Sequence, residues 1–95
     1  MDVVRTVSFE RAFQNIADMR ALSKIGVVIQ RMRFGNFGDF KPVGGSVIES
    51  RIHYGPGYRV YFTRRGAEIV ILLLCGDKRT QQSDINRAII LANNV

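Results

Sequence analysis

The sequence predicts a single α+β domain, and three observations carry that prediction. Apolar residues recur at helical spacing twice before residue 33, the period changes to two from Val47, and helical spacing returns after Thr80. Together they give the order β-α-α-β-β-β-β-α, expected to form a mostly antiparallel sheet with helices largely on one side. The chain has 95 residues, 46% of them hydrophobic, which suffices for one modest core spanning residues 1–95.

Taken in order, residues 2 to 6 alternate enough for a short edge strand, and Ser8 offers an N-cap oxygen with Glu10 in the first turn. Phe9, Ala12, Phe13 and Ile16 form one helical stripe. Leu22, Ile25, Ile29 and Met32 form a second after a break near Met19 to Ala21, so a helical hairpin is expected. Gly35 and Asn36 stop the second helix, and Gly38, Pro42, Gly44 and Gly45 mark turns beyond it. Ile48 and Ile52 alternate with Glu49, Arg51 and His53. After Gly55-Pro56-Gly57 the segment Tyr58 to Arg64 alternates likewise, which predicts a β-hairpin. The run Glu68 to Cys75 is apolar at every position after its first, as in a strand covered on both faces. Thr80 then caps a last helix with Ile85, Ala88, Ile89 and Ala92 as its buried stripe.

Fourteen Lys and Arg face eight Asp and Glu, a net charge of +6, which favours a polyanionic partner: nucleic acid, the ribosome or an acidic protein. Each half of the chain, 1–45 and 46–95, holds seven basic and four acidic residues, so folding must assemble any basic face. The single cysteine, Cys75, excludes an internal disulfide, and one histidine leaves no Cys/His constellation for a metal; no metal or cofactor is expected. The reducing cytoplasm fits this cysteine usage. The longest apolar run, Ile69 to Cys75, is too short to span a bilayer, and the N-terminus lacks the apolar core of a signal peptide.

Pairing Tyr54 with Tyr58 across a Gly-Pro-Gly loop sets His53 opposite Arg59 and Arg51 opposite Tyr61, all four on one open face. Ile48, Ile52, Val60 and Phe62 then supply the core from the other face. Two guanidiniums, an imidazole and a phenol on an open sheet can fork a phosphate and stack an unpaired base on Tyr61. Lys78 and Arg79, at the following strand-to-helix junction, add two cations to its rim. The plainer alternative for each residue is a solvated sheet face, and for Cys75 a small buried hydrophobe. Gly55-Pro56-Gly57 lacks the Lys and helix of a P-loop, and a tight turn is the better reading.

Three motifs go further: Gly35-Asn36-Phe37-Gly38-Asp39, the run Tyr54-Gly55-Pro56-Gly57-Tyr58-Arg59-Val60-Tyr61-Phe62, and Gly76-Asp77-Lys78. With their surroundings, about residues 34 to 91, they closely resemble the addiction-module killer branch of the RelE/HigB/ParE toxin superfamily. The N-terminal hairpin departs in detail, with Phe13 where that family usually shows Trp, and Lys24 and Val28 where it often shows Arg. The resemblance implies a RelE-like fold, a helix-turn-helix antitoxin encoded alongside, and metal-independent cleavage of mRNA on the translating ribosome. It marks Arg59 as functional, with Arg51 and Lys78 matching less closely. In that scheme Arg59 and Arg51 hold the scissile phosphate, Lys78 serves the leaving oxygen, and Tyr61, His53 and Arg79 contact RNA. Arg11, Arg20, Lys24, Arg31 and Arg87 charge the helical surfaces that an acidic antitoxin segment would cover. The rival readings are a ParE-like, non-enzymatic gyrase poison and a non-catalytic RNA- or protein-binding relative. In the favoured scheme Arg59 is expected to be a surface residue of the open face whose loss spares the fold.

Overall fold

A computed structural model describes residues 1–95. The elements are β1 (Asp2–Arg5), α1 (Val7–Gln14), α2 (Met19–Met32), β2 (Asp39–Gly44), β3 (Val47–Ile52), β4 (Tyr58–Arg65), β5 (Ile69–Gly76), a 3₁₀ turn (Lys78–Thr80) and α3 (Gln81–Ala92). This is the order predicted, in an α+β fold, although β2 falls where the glycines and Pro42 mark only turns in the sequence. The five strands lie as β1-β5-β4-β3-β2; β1 runs parallel to β5, and the other neighbours are antiparallel. The short β1 and the Pro-containing β2 are the edges, where a missing backbone donor is tolerated.

Helix starts differ from those expected by local reasons. Thr6, not Ser8, caps α1: its Oγ1 accepts from Phe9 N at 3.1 Å while donating to Leu72 O at 2.8 Å. The end of β1 therefore hands the chain to α1 while still bonded to β5. The break between helices falls at residues 15–18, before Met19, because Asp18 accepts from Arg20 N and Ala21 N (2.9 and 3.1 Å) and starts α2 there. Gly35, at φ 79°, turns the chain out of α2, and the amides of Gly35 and Asn36 bond back to the carbonyls of Met32 and Arg31.

The helices do not share one side. Phe9 of α1 and Ala21, Ile25, Ile29 and Met32 of α2 pack with Ile52, Val60, Phe62, Val70 and Leu72 on one face. On the other, Ile85, Ala88 and Ile89 of α3 cover Val47, Tyr61, Ile71, Leu73 and Leu74. The cause is β5 itself: a strand apolar on both faces needs a cover on each. A β-bulge adds to it, since Tyr61 pairs with Leu74 and Phe62 with Leu72, which turns both Leu73 and Leu74 toward α3.

Candidate functional site

The hairpin register differs from the expected one by two residues. Arg51 pairs with Arg59 and Ile52 with Tyr58, so His53 to Gly57 form the connection. Tyr54 is the reason. Its phenol donates to Asp18 Oδ2 at 2.9 Å, and its ring stacks near Tyr58 at 6.4 Å, which draws it out of the ladder toward α2. Gly57 N closes the turn on Tyr54 O at 3.1 Å, with Gly55 and Gly57 both at positive φ. Because the slip is even, the side-chain parity survives. Arg51, Arg59 and Tyr61 still point to one side, and Ile52, Val60 and Phe62 to the other.

That side is not an open face. α3 crosses it, and Tyr61 is completely buried within the α3-side core, so it is no base-stacking platform. Burial, with the nearby Glu49 and Asp84 carboxylates, pushes the Tyr61 phenol far above its ordinary range, and its oxygen has no hydrogen-bond partner. Arg59 is buried too: its side chain is 5% exposed, with Nε 3.7 Å from Oε1 of Glu49, itself 1% exposed. Arg59 Nη1 donates to Gly57 O at 2.6 Å, and Gln81 Nε2 donates to Glu49 Oε2 at 2.9 Å. The expectation of a surface Arg59 is corrected by this buried network, which locks the hairpin loop to β3 and the start of α3.

α3 leaves one end of the sheet uncovered, and there the chain forms a cleft of about 490 Å³. Its polar walls come from Lys41 of β2, Arg51 of β3, His53 and Tyr54 of the connection, the inner Arg59, and Lys78. Lys78 is placed by the backbone, since its N–H donates to Pro56 O at 3.4 Å and so ties the 3₁₀ turn to the hairpin loop. Gly57 is pressed between them; a Cβ there would lie 3.1 Å from Arg59 Nη1, at a φ of 81°. No carboxylate lines the cleft, and Lys41, Arg51 and Lys78 make no ion pair. These three unpaired cations give the cleft a positive field that favours an outside anion.

His53 stands at the rim with Nε2 2.7 Å from Asp39 Oδ2, so a carboxylate orients its ring. Arg79 does not join the cleft. Its guanidinium folds back on Asp77, with Nη2 2.7 Å and Nε 3.2 Å from Oδ2, and Asp77 also caps the turn through Arg79 N at 2.9 Å. These bonds hold the Asp77 carboxyl below its ordinary range. The structure thus gathers Arg51, His53, Arg59 and Lys78 of the predicted set, and leaves out Tyr61 and Arg79. Lys41, Asp39, Glu49 and Gln81 were missed. Lys41 and Asp39 sit where glycines and Pro42 suggested only turns; Glu49 alternates like any solvated strand residue until α3 covers it.

Among known proteins, an uncharacterized protein of Haemophilus influenzae is 41% identical over 95 residues, an alignment taking in 100% of this chain and 96% of the relative. No protein-family model matches the chain, and no solved structure matches it.

Proposed function

The chain belongs to the family of that Haemophilus influenzae protein; from its cleft and its motifs we propose that it is a toxin of a toxin–antitoxin pair that cleaves RNA through the basic cleft. One observation carries the reading: Lys41, Arg51, His53, Arg59 and Lys78 surround a cleft that no carboxylate lines, which is the environment a phosphodiester requires. The motifs resembling the RelE/HigB toxins provide the residues of its two rims, Tyr54 to Arg59 and Lys78. A RelE-like fold, a helix-turn-helix antitoxin, action on ribosome-bound mRNA and a cytoplasmic location belong to the same proposal. No helix is long and apolar enough to cross a membrane.

The chemistry needs no group beyond the chain and its substrate. The ribose 2′-oxygen bonds to the adjacent phosphorus while the bond from phosphorus to the 5′-oxygen breaks, leaving a cyclic phosphate and a 5′-hydroxyl. His53, oriented by Asp39, accepts the proton of the 2′-hydroxyl, since imidazole is the side chain suited to exchanging protons near neutrality. The Arg51 guanidinium meets the charge growing on the non-bridging oxygens, and Lys78 supplies charge and a proton to the departing 5′-oxygen. Arg59 is a positioning residue in this scheme: through Gly57 O and Glu49 it sets the loop that carries His53.

Induced expression followed by primer extension on cellular mRNA tests the proposal, with plasmid supercoiling read in the same cells. New mRNA 5′ ends, growth arrest and rescue by the neighbouring gene are expected. Arrest with altered supercoiling and intact mRNA would replace it by a gyrase poison. Normal growth of cells accumulating folded protein would remove the toxin reading altogether.

A further inference from the structure

We propose that a second depression, between α2 and the β2–β3 edge, continues the cleft as a groove for the flanking phosphates of a single-stranded polynucleotide. This inference rests on the cleft's being an RNA site and extends it. The depression, about 440 Å³, lies between Lys24, Val27, Val28 and Arg31 of α2 and Asp39 and Arg51 of the sheet with His53 of the connection. Arg51 and His53 also line the first cleft, so the two concavities share a wall and a strand leaving one enters the other.

Along α2, Lys24, Val27, Val28 and Arg31 are at i, i+3, i+4 and i+7 and form one stripe. Its end cations are separated by seven residues, about 10 Å of helix axis. Neither makes an ion pair. Lys24 Nζ lies 5.2 Å from the centre of the Tyr54 ring, and Tyr54 lines the first cleft, so this ammonium stands at the junction. Between the cations Val27 is 47% exposed, an apolar surface isolated among charges. The alternation of cation, aliphatic surface and cation fits a chain that alternates phosphate and base. The one acid of the depression, Asp39, lies on its sheet side and is hydrogen-bonded to His53 at 2.7 Å; it pairs with neither α2 cation. An acidic peptide would satisfy the same charges, but nothing would then make the groove run into the RNA cleft.

Non-cleavable 2′-O-methyl oligonucleotides, about four and about twelve nucleotides long, test this by fluorescence anisotropy across a salt series. The variants are Lys24→Gln with Arg31→Gln, and separately Arg51→Gln with Lys78→Gln, each checked for an unchanged thermal midpoint. The α2 pair should bind the short probe within about twofold of wild type. For the long probe it should lose about tenfold or more, with a salt slope smaller by about 1.4, two phosphates at ~0.7 each. If the α2 pair keeps the wild-type slope on the long probe while the Arg51 and Lys78 pair lowers it, the groove is refuted and the cleft stands. If wild type binds neither probe, the RNA reading fails and the groove fails with it. Loss of affinity for the neighbouring gene's product without any change in RNA slope would assign the stripe to a protein and overturn the inference.

Discussion

Arg59→Ala should strongly destabilise the protein and not merely silence it, and the reason is Glu49. Removing the guanidinium leaves a carboxylate 1% exposed, facing the α3-side core, with a hydrogen bond from the Gln81 amide but no countercharge. Breaking a buried ion pair by deleting one partner costs roughly 3–5 kcal/mol, because the other charge stays desolvated. A chain of this size has a total stability of about 5–15 kcal/mol. At about 4–8 °C per kcal/mol the thermal midpoint should fall by ~12–40 °C. Arg59→Met with Glu49→Leu should recover most of that loss, since replacing both members of a buried pair with apolar groups is often neutral or better. Urea unfolding of wild type, each single variant and the double variant, followed by circular dichroism, gives the coupling between the two sites directly. An Arg59→Ala variant within about 1 kcal/mol of wild type, or a double variant no better than Arg59→Ala, would refute the buried-pair account and return Arg59 to the surface role first expected of it.

The exposed cations should behave in the opposite way. Arg51→Gln and Lys78→Gln should each stay within about 0.5 kcal/mol of wild type in urea while RNA cleavage falls ~10²- to 10³-fold; retained cleavage in both would empty the cleft of its assigned role. Tyr61→Phe removes a buried hydroxyl that has no partner, so it should leave stability unchanged or raise it by about 1 kcal/mol, and a loss beyond that in the same titration would mean the hydroxyl is satisfied. Burial pushes the Cys75 thiol up from 9.0 to about 12, so the folded state holds its proton more tightly than the unfolded chain. The stability this contributes is complete below pH 9 and is lost as the pH rises toward 12. Wild type should therefore lose stability relative to Cys75→Val over that interval, and parallel stability curves for the two would contradict it.

Much of the fold was legible because periodicity survives ignorance of register. A slip of two residues left Ile52, Val60 and Phe62 on the core side and Arg51 and Arg59 together, as alternation requires. The register itself was not legible, for it depends on Tyr54 reaching Asp18, a bond across 36 positions that no local pattern announces. The same holds for the cover on Tyr61 and Glu49. A sheet face looks open in sequence until the helix that lies on it is placed, and α3 comes after all five strands. The apolar β5 did signal a second cover, and followed through it would have put α3 opposite α1 and α2. Within the site, Arg51, His53 and Lys78 were legible as cations near a turn and a strand end, whereas Lys41 lay in a stretch whose glycines and Pro42 masked an edge strand.

The parallel pairing of β1 with β5 carries a consequence for synthesis. Asp2 to Arg5 bond to Ile69 to Leu72, so the first strand made has no partner until nearly three-quarters of the chain exists. The cleft is later still, since its far wall is Lys78, in the turn that follows β5. Such long-range closure comes late in folding. A ribosome making this chain therefore carries only a nascent segment without its binding surface, and a message truncated before the codon for Lys78 yields an incomplete cleft. On the proposed reading, the RNA chemistry cannot begin before residue 78 has been translated and folded against the hairpin loop.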